Sequence, residues 1–266
     1  MEKKSKRKYY IIIILLIIYL AAMVIFIVYP SSVTSSRRVY IMVDNVAKWK
    51  FEGKSWEDIS SDESNLYNWQ KFDLYRRNQY FGNYYLLYND RWLVYDDDRN
   101  PVQKSGSNLL AVRSNQDFKV ATYTTTDIPT EQMQYVEQVL TDHNIDPDTE
   151  LVTKEMITYD IDNDGQEESI ITISNLFETT YAPSRIFSFI FTVKDGKITL
   201  VSSMVDTLDH KNEHCSAYVH SLVDTDNNGK YEIITGCGYY NSNRNCVEMY
   251  ENKNDQYQKI KACDMQ

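Results

Sequence analysis

Glycine is scarce in this chain, with eight in 266 residues, and cysteine and histidine number four each. The scarcity excludes several chemistries. No glycine-rich loop stands ready to cradle a phosphate, no Gly-x-Ser-x-Gly elbow presents a serine nucleophile, and no Cys-x-x-Cys pair offers a redox or zinc site. His210 and His214 are four apart, but Glu213 is misplaced for a His-Glu-x-x-His zinc helix, and Asp209–Glu213 reads as a polar loop. Asp96, Asp97 and Asp98 are the nearest approach to a glycosidase carboxylate pair, and nothing in the sequence gives them a cleft. No reaction can be read from these residues. Positive charge is also short: 28 Lys and Arg stand against 38 Asp and Glu, a net charge of −10. Five cations and one anion fall in the first eight residues, leaving −14 for the rest. A surface of that sign repels nucleic acid, which is not expected as a partner.

Long apolar runs are absent with one exception. Tyr9 to Tyr29 is a stretch of 21 residues without a charge, rich in Ile, Leu and Val. At about 1.5 Å per residue it reaches about 30 Å, the thickness of a bilayer core. Tyr9, Tyr10 and Tyr29 stand where aromatic rings rest at headgroup level, and Pro30 ends the helix. The segment reads as a membrane span; a cleaved signal peptide is the competing reading, with a shorter apolar region and a small-residue cleavage site. No cysteine lies near the span, which argues against a lipoprotein. Lys3, Lys4, Lys6, Arg7 and Lys8 favour a cytoplasmic N-terminus and an extracellular remainder, at the cell membrane in a single pass. All four cysteines, Cys215, Cys237, Cys246 and Cys263, follow the span, which fits two disulfides in an oxidising compartment. Cys237 and Cys246 are placed to staple a hairpin, leaving Cys215 for Cys263, one of three possible pairings; four buried thiols are the alternative.

The expected fold class is mainly β: an N-terminal transmembrane helix, then a β-rich outer portion with one amphipathic helix. Residues 1–8 form a basic tail, 9–29 the span and 30–38 a short polar stalk. Residues 39–126 form an aromatic-rich β region with hairpin signals at Glu52-Gly53 and Asn89-Asp90. Eleven aromatic residues fall between Tyr67 and Tyr95. They serve a small core and cross-strand pairing, or a surface that stacks on sugar rings, with Trp69 and Trp92 the candidates. Residues 127–150 carry a helix, since Met133, Val136, Val139 and Leu140 recur at helical spacing after Pro129 and Glu131. From 151 to 266 the pattern returns to strands, with Asp195-Gly196 joining two of them.

Within this last region an acidic run occurs twice in one register: Asp160-Ile-Asp162-Asn-Asp164-Gly165-Gln-Glu-Glu168, then Asp224-Thr-Asp226-Asn-Asn228-Gly229-Lys-Tyr-Glu232. Oxygen side chains at positions 1, 3 and 5 converge when the backbone curls around an ion, a glycine at position 6 permits the turn, and position 9 adds a carboxylate. An EF-hand would need glutamate at position 12, where Ile171 and Thr235 stand, and the flanks are β-branched. The loops therefore join strands. They begin 64 residues apart, so the last 110 residues read as one complete repeat and part of another. An Asx-rich turn is the plainer reading of either run alone.

These runs and their flanks resemble the FG-GAP or VCBS-type repeats of integrin-α-like β-propellers and bacterial surface proteins, from about Leu151 to the C-terminus. The resemblance implies propeller-like or meander sheets and calcium as the cofactor. The implied ligands are Asp160, Asp162, Asp164 and Glu168 with the backbone oxygen of Gln166, and Asp224, Asp226, Asn228 and Glu232 with that of Lys230. Four carboxylates against three predict tighter binding in the first loop. The Phe-Gly and Gly-Ala-Pro signatures are absent and only two loops occur, so the N-terminal half supplies further blades or the assembly is open. The function implied is a membrane-anchored extracytoplasmic interaction or scaffold protein with structural calcium, meeting an extracellular protein or glycan. The alternative is a glycan- or cell-wall-binding module built on the aromatic half.

Overall fold

The computed structural model describes residues 38–43, 47–52, 55–60, 68–76, 78–89, 91–102, 109–114, 118–176, 185–207, 215–239 and 245–262. The basic tail, the expected span Tyr9 to Tyr29, the stalk up to residue 37, His210, His214 and Cys263 lie outside them. Among the described residues no helix is long and apolar enough to cross a membrane.

The chain is mainly β, in three antiparallel sheets, none closed on itself. The first sheet holds β1 (Arg38–Val43), β2 (Ala47–Glu52), β3 (Trp56–Asp58), β4 (Gln70–Arg76), β5 (Gln79–Asn89), β6 (Arg91–Tyr95), β7 (Pro101–Val102) and β8 (Leu109–Ser114). Its order is β3-β2-β1-β8-β4-β5-β6-β7. The expected hairpins form here: Phe51 pairs with Trp56, and Tyr88 with Trp92. Two short strands then part company. β9 (Lys119–Val120) adds to the third sheet and β10 (Thr125–Asp127) to the second.

The second sheet continues as a meander of β11 (Thr153–Tyr159), β12 (Glu168–Ser174), β13 (Arg185–Lys194) and β14 (Lys197–Thr207). The third repeats it with β15 (Cys215–Asp224), β16 (Glu232–Tyr239), β17 (Asn245–Lys253) and β18 (Gln256–Ala262). Both units are thus complete four-stranded meanders, where the sequence predicted one and part of another. Equivalent two-residue turns close their last hairpins, β13–β14 and β17–β18. Asp195 and Gly196 have φ of 49° and 76°, and Asn254 and Asp255 have 55° and 59°, the left-handed pair that matches strand twist.

Between the β10 strand and the second sheet's meander, a 3-10 turn at Thr130–Gln132 opens α1 (Met133–Asp142), the only α-helix among the described residues. Val136, Val139 and Leu140 are its buried face, as their spacing predicted. That face packs on Ile171, Ile173, Phe187, Phe189 and Phe191 of the second sheet. The helix end is tied to the same sheet, because Arg185 Nη1 donates to the carbonyls of His143 at 2.9 Å and Asn144 at 3.0 Å.

Alternation along the strands assigns the layers. Ile170 and Ile190 point away from α1 and meet Ala217, Leu222 and Ile233 of the third sheet. Ile234, one residue on, points the other way and joins Val223, Val247 and Met249 against Ile41, Trp49 and Val112 of the first sheet. The order is first sheet, third sheet, second sheet, helix. Each large apolar side chain so buried contributes about 1.5–3 kcal/mol. The aromatic cluster is divided: Phe72 is fully buried, whereas Trp69, Tyr80 and Phe81 are exposed. Among the described residues a disulfide joins Cys215 to Cys237, so Cys237 does not pair with Cys246. Cys237 and Cys246 are opposite each other across β16 and β17, but the β15–β16 register brings Cys215 to 5.4 Å from Cys237 between Cα atoms.

Candidate metal centre

Each acidic run joins the first two strands of its meander: Asp160–Glu168 links β11 to β12, and Asp224–Glu232 links β15 to β16. The two loops fold alike, residue for residue. Asn163 and Asn227 at position 4 have φ of 57°, and Gly165 and Gly229 at position 6 have φ of 89° and 86°, where a Cβ would be strained. The Asp at position 1 spends both oxygens on backbone N–H groups of positions 5 and 6. Asp160 accepts from Asp164 at 3.1 Å and Gly165 at 3.0 Å, and Asp224 from Asn228 at 3.1 Å and Gly229 at 3.0 Å. The Glu at position 9 reaches back to position 2. Glu168 Oε2 accepts from Ile161 N at 2.7 Å, and Glu232 Oε2 from Thr225 N at 2.9 Å and Thr225 Oγ1 at 2.7 Å.

The loops also lie side by side. Tyr231 N donates to Ile161 O at 2.8 Å, and the rings of Tyr159 and Tyr231 meet edge to face at 5.1 Å. A cavity of about 670 Å³ opens beside them, lined among others by Glu168, Lys194, Lys230 and Glu232.

In loop 1, oxygens of Asp160, Asp162, Asp164 and Glu168 converge within 4.8 Å, and the group could hold a metal ion. Sequence reasoning missed the cation already there. Lys194, at the end of β13, places Nζ 2.6 Å from Asp162 Oδ2, 2.5 Å from Asp164 Oδ2 and 2.9 Å from Glu168 Oε1. Partial burial works against the charge on Lys194, but hydrogen bonds to the three carboxylates outweigh it and raise the lysine's pKa. The Lys194 ammonium, followed by the Gln166 N–H, lowers the pKa of Asp164. No local signal marks Lys194, which enters through strand register 34 residues after Asp160.

Loop 2 holds the same backbone with different electrostatics. Asp224 is fully buried and Glu232 nearly so, while Asp226 and Asn228 are exposed and joined through Asn228 Nδ2 at 2.9 Å. Its carboxylates do not converge as those of loop 1 do. Burial pushes the Glu232 carboxyl up to about 7, and the hydrogen bonds from Thr225 only partly offset that. The side chains of Gln166 and Lys230 are exposed.

The donor set fits a hard cation. It is all oxygen, it gathers around a positive charge, and it contains a buried atom, Asp162 Oδ1, with no hydrogen-bond partner. Among the described residues, the Asp96–Asp98 carboxylates do not gather as a group. Asp96 accepts the Asn100 N–H at 2.8 Å within its own turn, and Asp97 pairs with Lys71 at 2.6 Å on an exposed surface. No protein-family model, no curated protein and no solved structure matches the chain.

Proposed function

We propose that the chain is a membrane-anchored, extracytoplasmic interaction or scaffold protein whose acidic loops hold calcium for structural purposes. The observation that carries the reading is the pair of loops. Two runs with identical curl occupy the first hairpin of two complete meanders and lie against each other. Bound calcium would supply charge neutralisation and would fix two neighbouring hairpins as one rigid end. Asp160, Asp162, Asp164 and Glu168 would hold it in loop 1, and Asp224, Asp226, Asn228 and Glu232 in loop 2. The resemblance to FG-GAP or VCBS-type repeats supports the same reading. The apolar run Tyr9 to Tyr29 and the basic residues before it support the membrane placement.

Protease added outside intact cells tests both parts. The outer portion should be cut quickly when calcium is chelated and slowly when it is present at millimolar concentration. Equal rates would remove calcium from the reading. Protection that persists until the cells are opened would remove the extracellular placement.

A second reading has its own observation. Trp69 is exposed, its ring lies 5.0 Å from Tyr95 and 6.5 Å from Tyr85, and the Arg99 guanidinium stands 5.1 Å over it. Such a surface would stack on a sugar ring and make this part of the molecule a glycan- or cell-wall-binding module. Binding on a glycan array that is lost in Trp69→Ala would support it, and no binding at all would exclude it.

A further inference from the structure

We propose that the Cys215–Cys237 disulfide is a thiol-exchange site in the folded protein, opened by a low-molecular-weight thiol that enters a cavity between the second and third sheets. Neither calcium nor the acidic loops enter into it.

Stacked sheets stand about 10 Å apart, and the side chains between them must span that gap. Towards the acidic loops Ile190, Leu222 and Ile233 do so. Further along the same faces the residues become short. Ile190 gives way to Ser188 on β13, and Ile233 gives way to Thr235 and then Cys237 on β16; residues two apart on a strand share a face. With Ala217 and Ser202 they leave a cavity of about 420 Å³. Polar contacts fix its walls. Ser188 Oγ accepts from Ala217 N at 2.9 Å, and Glu248 accepts from Tyr250 Oη and from Lys259 Nζ at 2.5 Å each. The volume suits a thiol the size of an amino acid or a short peptide.

Cys215 and Cys237 both line this cavity, so the disulfide is part of its wall. The two residues differ in exposure: Cys215 is 1% exposed, whereas Cys237 is half-buried. An incoming thiolate therefore meets Cys237 Sγ first. It forms a new S–S bond there while the bond to Cys215 breaks, and the electron pair leaves on the Cys215 sulfur, which takes up a proton. One thiol and one disulfide enter and one of each leaves, so no other oxidant or reductant is needed. Among the described residues no cysteine is free, so the attacking sulfur comes from solution.

Incubation of the full chain with cysteine, trapping with N-ethylmaleimide and peptide mass mapping test this. A cysteine adduct should form on Cys237 with a trapped thiol at Cys215. Its rate should stay level in urea below the unfolding transition, because the native cavity admits the thiol. Ser202→Leu should fill the cavity and slow the reaction by about tenfold, since exchange depends on access to the attacked sulfur. If that variant does not fold, the urea series still decides. A rate that rises with urea in step with unfolding would overturn the proposal. So would an unchanged rate in a folded Ser202→Leu, or an adduct on another cysteine in place of Cys237.

Discussion

Asp160 and Asp224 each give both carboxylate oxygens to N–H groups of their own loop, so the chain sets the curl of either loop before any ion enters. The glycine at position 6 completes that curl, and the two glycines are not equivalent. A Cβ on Gly165 would meet nothing within 4 Å, while one on Gly229 would stand 3.0 Å from Asn163 Nδ2 in the neighbouring loop. Gly165→Ala should cost about 1 kcal/mol of stability from the left-handed backbone alone, and Gly229→Ala more, by chemical denaturation. Equal costs would mean that the loops do not touch. His220 gives a separate test at this scale. Burial lowers its pKa to about 4 from an ordinary 6.5, so the unfolded chain takes up a proton in the interval where the native one refuses it. Its contribution is therefore complete above pH 6.5 and is lost as pH falls towards 4, a change of roughly 3 kcal/mol. In His220→Gln the acid limb of the stability curve should flatten, and an unchanged limb would count against burial as the cause. The loop residues were legible because a nine-residue run contains the whole pattern. Lys194 was not, because its place in the ring depends on how β13 registers on β12.

At the scale of elements, hydrophobic pattern and turn residues read well where they are local. Asp195-Gly196 marked its hairpin, and Met133 to Leu140 marked α1. The continuous apolar runs of β12 and β13 follow from burial on both faces, with Ile170 and Ile190 towards the third sheet and Ile171 and Phe189 towards α1. Phe189→Ala should destabilise by about 3–5 kcal/mol, because the helix and the sheet share that contact and cannot both close the cavity. A loss below about 1 kcal/mol would show that α1 does not depend on this face. The cysteine pairing stayed open among three possibilities for a physical reason. The spacing of Cys237 and Cys246 describes a hairpin mouth, but sequence spacing holds no information on the register that brings Cys215 beside Cys237. The division of the aromatic cluster was equally hidden: Phe72 enters a core with Leu74, Leu86 and Val94, and Trp69 takes a left-handed turn with φ of 61° to the outside.

At the scale of the molecule, two meanders repeat one plan and stack on a larger sheet, with both acidic loops at their shared end. The mainly β class and the repeat were legible from the doubled motif; the completeness of the second unit and the eight-stranded order of the first sheet were not, since both depend on long-range pairing. The acidic remainder of the chain acquires a use in this arrangement, because a cation from outside would relieve part of its self-repulsion. Thermal unfolding of the full chain, metal-free and with millimolar calcium, tests this most directly. A calcium concentration about ten times the dissociation constant adds about 1.4 kcal/mol, so the melting temperature should rise by roughly 2–4 °C, and Asp226→Ala should reduce the rise. A melting temperature that ignores calcium in the wild type would contradict the account and reduce both loops to acidic turns.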